Sequence, residues 1–506
     1  ADGEFFVTEG VPKFGNIKDD PDQEDITAGS YQNDVRSLYG FLSTDVDWKG
    51  RYVLNALVRR DGSSLFGQDQ RWNTYFRLGG AYRMAQEPWW PVPQVGELKL
   101  RYSYGTGGGQ PGFGNKFQTY DVSGGRISKQ QLGNPNLTPS YQVEQSIGLN
   151  FAVFNRLSGS VTYATSKVED QILDVPLPGY AGFNSQVRNA GTVESFSIEA
   201  QLNAAIIQQE DMTLTTGAVF SRSQSTITEW DRPSFRFGPG SSFLYEEGVS
   251  MGSIFGNYYL TSKSELPEQW QQYSDQFQVN DDGFLVPVGS GNSWKDGVEK
   301  RLWGTDVDID GDGEEDYNWG HPLAIRGDSI LTQGQPSSRL IGDSQPAFSL
   351  GWNMGFELGG FSASMLWDMT YDFDIYNYDR HWAGTSHHTA DQGGKPEFKK
   401  KPMSYENSFS NYNNRYAEDG SYVKLRELAI DYTFNQERLT SIFGASVGNS
   451  IQQITLGVTG NNLLTFTDYS GYDPEVSSTG NTKQRRDGLG DYPNYRRFTG
   501  KLTLTF

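Results

Sequence analysis

Between Thr305 and Asp316 the chain reads TDVDIDGDGEED, and Asp308, Asp310, Asp312, Gly313 and Asp316 fit the spacing D-x-D-x-D-G-x-x-D. Carboxylates at alternate positions of a tight loop can turn toward one centre, glycine allows the sharp bend, and a hard cation such as calcium takes six to eight oxygens. The Glu314 carbonyl would stand at the backbone-ligand position. The closing Glu of a complete EF-hand loop is missing: Trp319 stands there counting from Asp308, and Tyr317 counting from Asp306. Two readings stay open, a calcium site on Asp308, Asp310, Asp312, Glu314 and Asp316, or a solvated acidic turn. A bound ion would be structural, clipping a long external loop.

Other chemistry is thinly supplied. There is no Cys, which removes disulfides, thiol nucleophiles and Cys-ligated metal sites together. Gly105 to Asn115 (GTGGGQPGFGN) lacks the Gly-Lys-Ser/Thr and the following helix of a phosphate cradle, and reads as a flexible loop. The histidines are His321, His381, His387 and His388; adjacent His387 and His388 do not easily face one metal from a strand, so ordinary loop positions are expected. No Ser-His-Asp order emerges. With 62 Asp and Glu, carboxylate pairs are inevitable, so they give little support to a glycoside hydrolase. Trp89-Trp90, Tyr371 with Tyr376 and Tyr378, and Phe409 with Tyr412 and Tyr416 suit membrane girdles or core packing, and also solute stacking.

The elements that must carry these residues are strands. A net charge of -20 and a pI near 4.7 argue against nucleic acid, because no basic stripe is present to displace counterions. No run of eighteen apolar residues exists, which excludes a helical span. A mean hydropathy of -0.61 leaves a β-barrel open, since its lumen-facing half is polar. The 30 Phe, 28 Tyr and 12 Trp fit membrane interfaces. The first residues, Ala-Asp-Gly-Glu, show no basic or apolar signal region, which reads as a mature chain or a fragment.

Period-2 alternation recurs throughout. Leu98, Leu100, Tyr102 and Tyr104 oppose Glu97, Lys99, Arg101 and Ser103. Phe348 to Leu358 and Phe361 to Ile375 repeat the scheme, as do segments near 35–48, 51–60, 73–85, 141–153, 156–166, 193–205, 211–223, 420–434 and 451–465. The chain ends on YRRFTGKLTLTF, with Phe498, Gly500, Leu502, Leu504 and Phe506 on one face. The pattern predicts about fourteen strands, mostly of ten residues or more. Soluble strands favour about five or six, whereas a tilted membrane strand needs about nine to eleven. Tight turns such as Leu358-Gly359-Gly360 and Asn155-Arg156 alternate with long loops at 106–138, 224–345 and 376–419. That asymmetry describes an outer-membrane barrel, with binding residues in the long loops.

Several phrases in order resemble one family, the SusC/RagA-type TonB-dependent transporters of Bacteroidota outer membranes. They include Arg59-Arg60-Asp61-Gly62-Ser63-Ser64-Leu65-Phe66, Gly133-Asn134-Pro135-Asn136-Leu137 and Asn189-Ala190-Gly191-Thr192-Val193-Glu194. Further along stand Ser421 to Leu428 (SYVKLREL), Gly460-Asn461-Asn462-Leu463-Leu464 and Tyr469 to Glu475 (YSGYDPE). The resemblance implies import of oligosaccharides or peptides through a plugged transmembrane barrel, powered by TonB, with a SusD-like surface lipoprotein as lid and outer-membrane lipid around the wall. It covers only the carboxy-terminal part of such a transporter. Residues 1–506 would supply about fourteen of about twenty-two antiparallel strands, with the plug and earlier strands elsewhere. Open sheet edges in lipid leave unsatisfied backbone groups, so the remaining strands must exist on this polypeptide or another. The main alternative is a secreted or surface-attached carbohydrate-binding sandwich or propeller, against which stand the strand lengths, the terminal Phe and the lack of a blade-like repeat.

Overall fold

Alternating apolar and polar residues satisfy their backbone and segregate their side chains best as strands, and each alternating segment contributes one. The computed structural model describes residues 2–6, 29–123, 126–327, 329–332, 337–386, 401–444, 446, 450–475, 477 and 492–506. Thirteen strands form one sheet in sequence order: β1 (Ser37–Trp48), β2 (Tyr52–Ser63), β3 (Trp72–Arg83), β4 (Val95–Gly109), β5 (Ser140–Val153), β6 (Leu157–Glu169), β7 (Thr192–Gln208), β8 (Met212–Glu229), β9 (Phe348–Leu358), β10 (Phe361–Tyr371), β11 (Tyr422–Asn435), β12 (Gln453–Thr467) and β13 (Arg497–Thr505). Among the described residues the sheet has thirteen strands, in line with the expected number of about fourteen. β1 and β13 are the edge strands of this order.

Register shows why the alternation matters. Directly opposed residues on antiparallel strands share a face. Phe220, Leu350, Met369, Val423 and Phe466 form one row across β8 to β12; Leu214, Phe356, Ala363, Ile430 and Val458 form another. Met212, Leu358, Phe361, Tyr432, Leu456 and Leu502 continue the face to β13. Much of it is bare: Phe466 is 58%, Val458 60% and Leu502 64% exposed. A face of this extent needs an apolar medium. The opposite face is polar, and there Asp431, Gly457 and Lys501 share a row. A Cβ at Gly457 would lie 2.0 Å from Asp431 Oδ1, so the glycine leaves room for Asp431 to reach Lys501 Nζ at 3.3 Å.

Connections in an antiparallel meander alternate between the two ends of the strands. β9 and β10 are joined by Gly359 and Gly360, with Gly359 at φ +59, and β5 and β6 by Phe154 to Arg156, with Phe154 and Asn155 at φ +56 and +53. The long connections follow β4, β6, β8, β10 and β12, all at the other end. Two expectations are corrected. Gly105 to Gly109 are the last residues of β4 rather than loop, because their neighbours continue the ladder and glycine does not prevent pairing. The run from Phe361 to Ile375 breaks at Asp372, which takes φ +58; Asp374–Tyr376 then pairs separately with Ala417–Asp419.

The chain divides into two compact units, one built of residues 1–81, 102–145 and 166–193, the other of the remainder. In the first, the hairpin Ile172–Pro176 and Ser185–Asn189 is tied to the GNPNL phrase. Asn189 Oδ1 accepts from Thr138 N at 2.9 Å while its Nδ2 donates to Thr138 O at 2.8 Å. Asn134 Nδ2 donates to Val187 O at 3.0 Å, and Phe66, Leu137 and Val187 are buried. Gly67 is required, since a Cβ there would stand 2.0 Å from Pro135 O.

In the second unit the long connections fold around cores of their own. Phe243, Ile254, Tyr259, Phe284, Tyr405 and Phe409 form one cluster, and Leu260, Phe277, Leu285, Tyr317 and Leu323 part of another. Four short strands, Phe235–Phe237, Phe243–Tyr245, Ser253–Asn257 and Ser338–Asp343, make a small sheet. Trp294 stacks on buried Trp319 with ring centroids 5.5 Å apart.

Candidate functional site

The acidic loop lies between the paired segments Asp306–Val307 and Tyr317–Asn318, which bring its two ends together. Carboxylate oxygens of Asp308, Asp310 and Asp316 all lie within 4.8 Å of one another. Asp308 accepts from Gly311 N at 2.7 Å and Gly313 N at 2.9 Å, and both glycines have positive φ. Asp316 accepts from Ile309 N at 2.7 Å. Asp312 falls outside this group: its carboxylate caps Glu314 N at 2.8 Å. The three converging carboxylates keep lone pairs for a cation, so the donor set fits a hard ion.

Two long loops, 224–345 and 376–419, are fastened to each other by buried charge. Asp282 meets Lys401 Nζ at 2.5 Å and Arg415 at 3.1 Å, and accepts from Tyr405 OH at 2.8 Å. Burial alone would raise the Asp282 pKa, but the charges of Arg415 and Lys401 outweigh it and hold the carboxyl below its ordinary value. Arg415 also pairs with buried Glu406 at 2.8 Å and lies 4.4 Å over the Phe409 ring. Described residues of the same loops line a half-open cavity of about 400 Å³, with Tyr259, His321 and Ala324 on its inner side and Asn407, Ser410 and Asn411 among its outer residues.

A second charge cluster sits on the polar face of the sheet. Lys424 of β11 is opposite Asp368 of β10. Its Nζ bonds Asp473 at 2.5 Å and Glu475 at 2.6 Å, and Arg426 bonds both Glu475 and Asp368. Arg426 is the extra residue of a bulge, skipped in the register with both neighbouring strands. Lys424 is only 2% exposed and Asp473 7%. Burial opposes ionisation of Glu475, yet the hydrogen bonds and charges of Arg426 and Lys424 prevail and hold its pKa at about 2. That contribution is therefore complete above the ordinary carboxylate range and is lost as pH falls toward about 2.

Asp374 behaves oppositely. Its pKa is pushed up to about 6, first by burial, against the N–H it accepts from Asp343 at 2.7 Å, with Asp419, Asp343 and Asp372 adding to the rise. A raised carboxyl stabilises the fold below its unfolded pKa, and this support disappears as pH climbs through 6. Asp374→Asn keeps an acceptor for Asp343 N, so the variant is expected to melt a few degrees higher at pH 8 and nearly unchanged at pH 4. Paired thermal scans at both pH values check it.

The remaining expectations resolve as follows. His321 is a buried loop residue, and His381 is buried in the short helix Tyr378–Thr385. His381 hydrogen-bonds Tyr376 OH at 3.0 Å and stacks on Tyr416; His387 and His388 lie outside the described residues. Phe409, Tyr376 and Tyr416 are core, while Trp89 and Tyr371 are exposed.

A family model described as TonB dependent receptor-like, beta-barrel matches residues 8–280, over half of the sequence. The chain belongs to this family. TonB-dependent receptor P3 of Formosa agariphila is 28% identical over 94% of the chain and 46% of its own length. TonB-dependent receptor SusC of Bacteroides thetaiotaomicron is 27% identical over 45% of the chain and 24% of its own. The chain thus spans about half the length of the curated relatives that match it throughout. Among solved structures, the RagAB peptide transporter superposes with a TM-score of 0.67 at 19% identity, covering 95% of this chain and 48% of that one, which shows the same fold. As a member of the TonB-dependent receptor family the chain resides in the outer membrane, where the apolar rows of β8 to β13 meet lipid. The soluble sandwich or propeller reading gives way to the receptor barrel, and the relatives are receptors rather than hydrolases.

Sequence reasoning missed both charge clusters. A trace of the second was visible: apolar positions in β11 run Val423 and Leu425, then Leu428 and Ile430. This change of phase marks the bulge at Arg426.

Proposed function

We propose that this chain forms the carboxy-terminal barrel wall and outer loops of a SusC-like importer of oligosaccharides or peptides, with TonB as energy source and a SusD-like lipoprotein as lid. The carrying observation is the combination of a membrane-type sheet with two long loops, on the same end of the strands, whose described residues are cross-linked by charge and line a half-open cavity. Loops of this kind can capture solute above a pore while the wall stays fixed. The plug and the other strands of the barrel would lie outside residues 1–506, in keeping with coverage of about half of the relatives. The test is uptake of labelled oligosaccharides and peptides by the native bacterium. Deletion of the gene, and separately of TonB, should abolish uptake of the same solute; uptake that survives both deletions contradicts the proposal.

Calcium is proposed as the ion of the acidic loop, held by Asp308, Asp310 and Asp316, with the Glu314 carbonyl and Asp312 at its margin. Its role is to clip the 224–345 loop. Chelation is expected to raise protease cleavage within 224–345 several-fold, with Asp310→Ala giving the same pattern without chelator. Cleavage unchanged under both treatments would count against the ion.

A further inference from the structure

The cavity between the two long loops differs from its surroundings in charge. None of its eleven described lining residues is Asp, Glu, Lys or Arg, although 21% of the chain is charged. A neighbouring recess that shares Leu331 and Thr332 with it carries Asp306, Glu315 and Asp316. Burial favours the neutral form of His321, the imidazole on its described wall. Its Nδ1 faces the Trp319 carbonyl at 3.2 Å, so Nδ1 carries the proton, and Nε2 accepts from Ser404 Oγ at 3.0 Å. Burial lowers the His321 pKa and reinforces that state.

What the cavity does offer is neutral and two-sided. The side chains of Asn407, Ser410 and Asn411 make no hydrogen bond to other described residues, and amides and hydroxyls both donate and accept. Tyr259, Ala324 and Leu331 give an apolar wall, Tyr259 and Ala324 almost fully buried, and the Tyr259 hydroxyl donates to the Ser408 carbonyl. A volume of about 400 Å³ is within the usual span of small-ligand sites. Peptides are commonly captured through their backbone at a sheet edge or through charged termini, whereas this cavity presents side chains from loops and from the short helix Met403–Asn407.

We propose that this cavity binds an uncharged oligosaccharide, with Asn407, Ser410 and Asn411 hydrogen-bonding its hydroxyls and half-buried Leu331 against its C–H face. This rests on the import reading and narrows its solute to a neutral glycan. The test is calorimetry on the full-length transporter extracted from outer membranes in detergent. Probes are maltohexaose, laminarihexaose, xylohexaose and mannohexaose, against oligogalacturonate, sulfated carrageenan oligosaccharides and a capped tetra-alanine peptide. At least one neutral hexaose should bind, and Ser410→Ala combined with Asn411→Ala should weaken it at least tenfold without moving the melting temperature. Binding of acidic sugars or the peptide alone, no binding of any neutral hexaose, or neutral binding that ignores the double variant would overturn the assignment. Binding that persists where uptake does not depend on TonB would instead refute import and leave the site standing.

Discussion

Lys424→Met is expected to weaken the barrel wall by about 3–5 kcal/mol, because it leaves Asp473 buried without its ammonium partner. Among the described residues Asp473 would keep hydrogen bonds from Glu475 N at 3.0 Å and Asn494 N at 3.3 Å, which do not neutralise a charge. Glu475 would retain Arg426, so the loss centres on Asp473. The readout is the temperature at which the detergent-extracted protein shifts from folded to unfolded migration on a gel. A second variant isolates the charge effect from lost packing. Replacing both partners, Lys424→Met with Asp473→Leu, removes the orphaned charge, and most of the stability should return. Equal losses in the single and double variants would mean that the pair does not couple.

Arg415→Ala should produce an equally large but differently placed loss. The guanidinium bridges Asp282 on one long loop and Glu406 on the other and covers the Phe409 ring, so its removal takes the Arg415 ion pair from buried Glu406 and opens an apolar surface. Lys401 still reaches Asp282, which limits the damage at that carboxylate. About 3–5 kcal/mol is again expected, now confined to the loops. Limited proteolysis should cut within 224–345 and 376–419 in the variant and not in the parent, while the heat-shift temperature of the wall changes little. Cleavage unchanged in both loops would show that the cores centred on Phe243 and Phe277 hold them without the ion pairs.

The contrast between these clusters and the strands shows what a sequence can disclose. Strands such as Phe348–Leu358 were legible because a period of two is written into adjacent residues, and the Gly359-Gly360 turn announces where the ladder reverses. The asymmetry of connections was legible for the same local reason. The Asp308 to Asp316 spacing disclosed a candidate site, yet it did not tell that Asp312 turns to cap Glu314. Lys424 and Glu475 are far apart in the chain, and nothing local joins them; only the pairing of β11 with β12 brings the YSGYDPE phrase back over the wall. The cavity is less legible still. Asn257, His321 and Asn411 come from separate parts of two loops whose folding depends on their own buried aromatics. Asp372 ended a run whose alternation continues in sequence, because a positive φ leaves the hydrophobic pattern intact while turning the chain.

The central claim is that this chain is the wall and outer-loop part of a larger outer-membrane importer. Peptide mass spectrometry of the complex extracted from native outer membranes in detergent tests it most directly. The account predicts peptides of this chain in one assembly with peptides of a plug and earlier barrel strands, on the same polypeptide or a partner, together with a surface lipoprotein. Recovery of residues 1–506 in the soluble fraction, folded without detergent and free of such partners, would contradict it.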